Sequence, residues 1–365
     1  MSANKTKWVR LGEYIEQRRE KYDNFSTLPI CGVSREGFVP PKQEATNTSI
    51  YNVFYKNDFV FNPARMELNS ICLNIDYDKA ICSSLYEIFY IKNQEVLLPE
   101  YLNLFIKRDE FARFCSYDAI GSARNYFRVA NMSDIQIPLP SISIQRELVN
   151  TYNGLKSLAE DNEALIAPLT QACEALVVDC KRKYDEVELG EYIESCDERN
   201  SEGKYSEQDC VGVNINKELN IMRGTLESKK LELFKIVSPR LFVYNPRGSR
   251  KLGLGFNNTK RTFITTFNNI TFKVSGKKLL DEFLYTLLSR KEFDRNAEFR
   301  SWGSSTEVFS WSELCSVKIP LPPPDVQQSI VNLYHCIEEA KRIAAEAREQ
   351  MRTLCPALIQ KAIHS

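Results

Sequence analysis

Two stretches of the chain bring an apolar residue back every three or four positions. In the later one the positions are Ile330, Leu333, Ile337, Ala340, Ala344, Ala347, Met351, Leu354 and Leu358. Alternating steps of three and four place them on one stripe of a helix, as in a coiled-coil seam. Subtracting 182 gives Leu148, Thr151, Leu155, Leu158, Asn162, Leu165, Leu169, Ala172 and Leu176, so the same frame runs through both stretches. Each predicts a helix of about 35–40 residues, roughly 50–60 Å long. Ser143 and Asp325 stand where a side-chain oxygen can cap the helix start. Asn162 in the first seam favours a fixed register, and Pro168 and Pro356 predict a kink or break.

The remaining chain alternates strand and helix patterns. TSIYNVFYKNDFVFNP, ICLNIDYDKAICSS, KIVSPRLFVYNP and TFITTFNNITFKV are rich in β-branched and aromatic residues and read as strands with turns. PEYLNLFIKRDEFARFC and LLDEFLYTLLSRKEFDRNAEF show helical spacing. The division expected is a mixed α/β domain over residues 1–142, a central helix over 143–186, a second α/β domain over 187–324 and a C-terminal helix over 325–365. Two helices with matching seams are expected to pack on each other, antiparallel if a pseudo-twofold axis relates the halves.

The halves also share words. LGEYIE at Leu11–Glu16 returns at Leu189–Glu194, and Gly32-Val33 returns as Gly212-Val213. VFNP at Val60–Pro63 matches VYNP at Val243–Pro246. Gly121-Ser122 with Phe127 matches Gly303-Ser304 with Phe309, and IPLP followed by Gln145 matches IPLP followed by Gln327. The order is kept and the offset drifts only from 178 to 183, as small loop insertions produce. The chain is read as a duplication, each half ending at IPLP, where proline stops a strand.

Composition narrows the chemistry. Lys+Arg and Asp+Glu are both 48, so any basic site is local rather than a property of the whole surface. The two histidines, His335 and His364, lie near the C-terminus, which argues against Ser-His-Asp, Cys-His and His-metal catalysis. Gly248 and Gly253 have phosphate-loop spacing but are followed by Leu254-Gly255 rather than Gly-Lys-Ser/Thr. No apolar leader or membrane-length run occurs, and the eleven cysteines contain no CxxC pair, so they read as reduced, mostly buried thiols of a cytoplasmic protein.

Two similar modules on a rigid spacer suit a partner with two separated sites, and duplex DNA is one. Between Pro246 and Leu280 the second half has eight basic residues and no acidic one: Arg247, Arg250, Lys251, Lys260, Arg261, Lys273, Lys277 and Lys278. The first half is less basic there, with Arg65 beside Glu67. Its stronger candidates are in GSARNYFR, where Arg124 and Arg128 can meet guanine or phosphate, Asn125 adenine, and Tyr126 a base or phosphate. The matching loop carries Ser304, Ser305 and Thr306. One scaffold with different polar residues suits two different half-sites.

This arrangement, two repeats each ending in IPLP…Q and a long helix with LGE near each repeat start, resembles the specificity subunit of type I restriction–modification systems. The resemblance spans nearly the whole chain. It implies two α/β target-recognition domains separated by two long helices packed as an antiparallel coiled coil. It implies a non-catalytic subunit that reads a bipartite, asymmetric double-stranded DNA target. Methylation subunits, two of them in this reading, would transfer methyl from S-adenosylmethionine to adenine, and restriction subunits would use ATP and Mg2+. The chain itself would hold no cofactor and no metal. FNPAR and YNPRG lack the second proline and the aromatic of an adenine-methyltransferase Asn/Asp-Pro-Pro-aromatic loop. The alternative is a coiled-coil interaction or scaffold protein that reads no DNA sequence.

Overall fold

The computed structural model describes residues 6–23, 27–41, 47–118, 126–222, 230–247, 251–301 and 308–364, the side chains of 116–118 and 354–364 excepted. Contacts divide the chain into two units, Met1–Asp161 with Ile343–Ser365, and Asn162–Arg342. Among the described residues no helix is long and apolar enough to cross a membrane.

In the first unit β1 (Lys7–Arg10) leads through a 3-10 turn over Leu11–Glu13 to β2 (Ile15–Arg18). There follow β3 (Ile30–Val33), β4 (Phe38–Val39), β5 (Asn52–Tyr55), β6 (Phe59–Phe61), β7 (Ile71–Leu73), β8 (Lys79–Cys82) and β9 (Glu87–Ile91). Then come α1 (Pro99–Ile106), α2 (Asp109–Asp118), α3 (Val129–Asp134), β10 (Gln136–Leu139) and the long α4 (Ile142–Lys183). Strands β2, β9, β6 and β7 form an antiparallel sheet in that spatial order, β4-β3-β8-β5 a mixed one, and β1 pairs with β10. Phe59 stacks on Phe89 at 4.8 Å, and the apolar face of α1 (Tyr101, Leu102, Phe105, Ile106) closes the same core.

The second unit repeats this order. It contains β11 (Glu186–Glu188), β12 (Ile193–Cys196), β13 (Val211–Val213), β14 (Leu219–Ile221), β15 (Lys235–Val237), β16 (Phe242–Tyr244), β17 (Leu254–Phe256), β18 (Phe263–Thr265) and β19 (Ile270–Val274). After them come α5 (Asp281–Leu288), α6 (Lys291–Ser301), α7 (Trp311–Cys315), β20 (Lys318–Pro320) and the long α8 (Pro324–His364). The sheet β12-β19-β16-β17 is the counterpart of β2-β9-β6-β7, and β11 pairs with β20 as β1 does with β10. Phe242 stacks on Phe272 at 4.8 Å. The units part company at the second sheet, which here is split into the pairs β13–β14 and β15–β18.

The repeated words are internal ties. Gln145 is fully buried at the start of α4. Its Oε1 accepts the Leu98 N–H at 2.9 Å, and its Nε2 donates to the Val96 and Pro140 carbonyls, each at 2.9 Å. Gln327 repeats the pattern with Leu280 N–H at 2.8 Å and the Lys278 and Pro322 carbonyls at 2.7 and 2.8 Å. Each glutamine thus joins the loop before a domain helix to the end of IPLP and satisfies backbone groups that burial would otherwise strand. The glycine of LGE is explained by close approach. A Cβ on Gly12 would stand 2.8 Å from the Ser133 Cβ in α3, and one on Gly190 would stand 2.8 Å from the Cys315 Cβ in α7.

Within the second unit the later half of α4 and the earlier half of α8 run in opposite directions. Leu321 N–H donates to the Asp185 carbonyl at 3.3 Å where one helix has ended and the other is about to begin. Further along, Ile166, Leu169, Cys173 and Val177 share a core with Ile330, Leu333 and Ile337. On α8 the inward residues follow the predicted frame: Ile330, Ile337, Ala340, Ala344 and Ala347 are buried, Leu333 and Met351 half-buried. The side chains of Leu354 and Leu358 lie outside the described ones.

On α4 the structure corrects the frame. Leu148 is buried, and Leu155, Asn162 and Leu169 are half-buried, but Leu158, Leu165 and Leu176 are 45, 50 and 42% exposed. Thr151 and Ala172 are exposed too. The inward positions are instead Tyr152, Ala159, Ile166, Cys173, Val177 and Cys180. Thr151, Leu158, Leu165, Ala172 and Leu176 each give way to the next residue, so the stripe leans to one side. Helix assignment is continuous through Pro168 and Pro356, with no break at either. Ser143 and Asp325 lie inside the first turns rather than ahead of them. Asp325 there complements the positive helix end.

A lysine pins the hairpin of each unit, half-buried in the first and buried in the second. In the first, Lys107 after α1 donates to the Arg35 carbonyl beyond β3 at 2.5 Å and to the Ile71 carbonyl at 2.7 Å. In the second, Lys217 of the β13–β14 turn is buried, pairs with Asp294 of α6 and donates to the Leu252 carbonyl at 2.7 Å. Tyr285 Oη donates to the Lys217 carbonyl at 2.7 Å. Burial lowers the pKa of both lysines.

Of the cysteines with described side chains, all are free thiols, seven of them buried and Cys336 exposed. Burial pushes the Cys72 thiol up to about 11.

Candidate nucleic-acid interface

In each unit one end of the larger sheet carries an Asn-Pro loop. Asn62 follows β6, and its Oδ1 accepts the Ala64 N–H at 3.1 Å; Asn245 follows β16, and its Oδ1 accepts the Arg247 N–H at 3.0 Å. These are Asx turns, a conformation that Asn adopts readily. The next carbonyl makes the second tie. Pro63 O accepts the Phe127 N–H at 2.9 Å, and Pro246 O accepts the Phe309 N–H at 2.9 Å. Both phenylalanines are 1% exposed, and Phe309 packs 6.0 Å from Tyr244 and from Phe293. So NP and Phe, repeated in the sequence, fasten the segment that returns from α2 or α6 onto the sheet end.

In the first unit the tie sets Tyr126 and Arg128, either side of the bonded Phe127, beside the Asn-Pro loop that leads into Arg65. Arg65 is exposed on the turn over Pro63–Leu68, against which α2 packs. Arg128 is 63% exposed, lies 5.7 Å from the Tyr126 ring and pairs with Glu87 at 3.3 Å. Glu87 Oε2 also accepts the Val129 N–H at 2.7 Å, so the acid that partly neutralises Arg128 also holds the start of α3. The same sheet end in the second unit has Arg247, exposed on the Asn-Pro loop. Arg124, Asn125, Arg250, Ser304, Ser305 and Thr306 lie outside the described residues.

The basic run of the second half does not form one surface. β17 pairs antiparallel with β16, so Arg247 and Lys251 sit at one end of the sheet and Lys260 and Arg261 at the other, followed there by Lys277 and Lys278. Arg261 pairs with Asp209 at 3.3 Å and Lys273 with Glu194 at 2.8 Å. Strand pairing across the sheet supplies acids that the sequence run lacks. Among the described residues of the run, Arg247 and Lys251 are left near the second Asn-Pro loop. Among the described residues no cluster of three His, Cys, Asp or Glu side chains could hold a metal ion.

No family model and no curated protein matches the chain. Solved structures do. The S subunit of a type I restriction–modification system from M. genitalium is similar at a TM-score of 0.58 and 14% identity, over 99% of this chain and 97% of that one. The HsdS subunit from Thermoanaerobacter tengcongensis is similar at 0.45 and 18%, over 99 and 97%. A chain of a type I R-M system described for its complex assembly and conformational transition is similar at 0.44 and 19%, over 100 and 98%. Over its whole length, then, this chain has the fold of a type I restriction–modification S subunit.

Proposed function

We propose that this chain is the specificity subunit of a type I restriction–modification complex. In this reading it binds a bipartite, asymmetric DNA target, one part at each Asn-Pro sheet end, and directs adenine methylation and restriction by partner subunits. Catalysis, S-adenosylmethionine, ATP and Mg2+ then belong to those partners, with methylation subunits docking on the chain. One observation carries the reading: both units fasten the same loop and return segment with the same backbone bond, yet the described residues beside the tie differ, Tyr126 and Arg128 in one and Val308 and Ser310 in the other. The ties conserve geometry while the exposed side chains differ, as reading two unlike half-sites requires.

The test is to co-express the chain with the methylation subunit encoded beside it and map methylated adenines in the host DNA. A new two-part motif with a fixed gap is expected. Exchanging residues 1–142 for the equivalent part of a relative should then change one half of the motif and spare the other. A soluble complex with an active methyltransferase and no new motif would instead favour an interaction protein.

A further inference from the structure

Most residues repeated at offset 182 have an internal explanation. Phe111 and Phe293 are buried, as are Phe127 and Phe309, Gln145 and Gln327. One repeated pair does not. EFARFCSY at Glu110–Tyr117 and EFDRNAEF at Glu292–Phe299 share glutamate, phenylalanine, arginine and, four residues later, an aromatic. Glu292 pairs with Lys181 and Arg290, and Phe293 is core. Arg295 and Phe299 are both exposed, Phe299 at 77% and more open than any other large apolar side chain described. Arg295 makes no ion pair among the described residues. In the first unit Arg113 is 75% exposed and pairs with the open Glu110 at 3.3 Å, and the adjacent Phe114 is 44% exposed. Tyr117 takes the place of Phe299 on α2, its side chain outside the described ones.

Residues four apart share a helix face, so α6 sets Arg295 and Phe299 side by side. The helices are also well placed. α2 packs on the turn that carries Arg65, and α6 accepts the Leu252 N–H, just past the second Asn-Pro loop, on Asp294 at 3.3 Å. Each helix runs directly into the segment that returns to that loop.

Building on the specificity reading, we propose that the Arg295–Phe299 face of α6, with Arg113 as its counterpart on α2, contacts the DNA duplex. The arginine meets phosphate, and the aromatic lies against the apolar edges of bases in the groove. A guanidinium beside an open aromatic complements a polyanion with apolar base edges. The two halves keep it because it serves the partner common to both and not the fold.

The test is the binding of duplex carrying the mapped motif to the complex with its methylation subunit, followed by fluorescence anisotropy over a range of salt. Arg295→Ala should weaken binding about tenfold and reduce the salt slope by about one. Phe299→Ala should weaken binding about tenfold with the slope unchanged. Both variants should unfold at the wild-type temperature, because neither side chain is buried. Wild-type affinity in both variants overturns the inference alone. Wild-type DNA affinity with loss of the methylation subunit on gel filtration overturns it in favour of a protein-docking face. A wild-type complex that binds no DNA overturns the specificity reading and this inference together.

Discussion

At Gln327, three hydrogen bonds converge on a side chain with no exposed surface. Leucine fills nearly the same volume and satisfies none of them. Gln327→Leu should therefore destabilise the chain by about 3 kcal/mol, since each stranded buried group costs about 1–3 kcal/mol. Gly190→Ala should cost about 1–3 kcal/mol, because its Cβ meets the Cβ and backbone of Cys315 and not a flexible chain end. Urea unfolding measures both, and the equivalent changes at Gln145 and Gly12 should behave alike. A midpoint unmoved by Gln327→Leu would refute the tie. These residues were legible in the sequence because the same backbone bond, made twice, demands the same side chain twice. Their reason was not legible: the glutamine partners stand 47 and 49 residues away, on a loop that the pattern alone does not bring near.

Among the elements, the hairpins differ between the two units, and that of the second depends on one buried ion pair, Lys217 with Asp294. Removing one partner of such a pair leaves the other charged and unsatisfied, at about 3–5 kcal/mol, whereas replacing both is often close to neutral. Lys217→Met should thus loosen β13–β14 and open it to limited proteolysis, while Lys217→Met with Asp294→Leu should recover most of the resistance. Equal cleavage of the single and double variants would show that the ion pair does not hold the hairpin. The sequence marks neither lysine, because Lys107 and Lys217 occupy different elements and share no spacing. The same limit explains the two corrections. The frame carried over to α4 favoured Leu158 and Leu165, yet it is what the helix packs against that turned Ala159 and Ile166 inward. The basic run looked continuous until antiparallel pairing sent Lys260 and Arg261 to the far end of the sheet.

For the whole molecule, strand and helix content, the duplication and the two long helices were all visible as periodicity. Both unit boundaries fall inside α4 and α8, at Asp161–Asn162 and Arg342–Ile343. Length added there lengthens both helices and leaves untouched the ties described within each unit. Inserting three matched heptads at both boundaries should alter the gap in the methylated motif and leave its two halves unchanged, which adenine mapping would report. A change in either half would contradict independent reading. The continuity of these helices also sets a question of phase. Seven residues advance a helix by about 10.5 Å and return it almost to the same face, but in the proposed role the duplex turns by roughly 110° over that distance, given a full turn every 34–36 Å. The protein thread and the DNA thread therefore have different pitches. They come back into step only after about three heptads, close to one turn of the duplex, so workable gaps should be widely spaced notches and not a continuous scale.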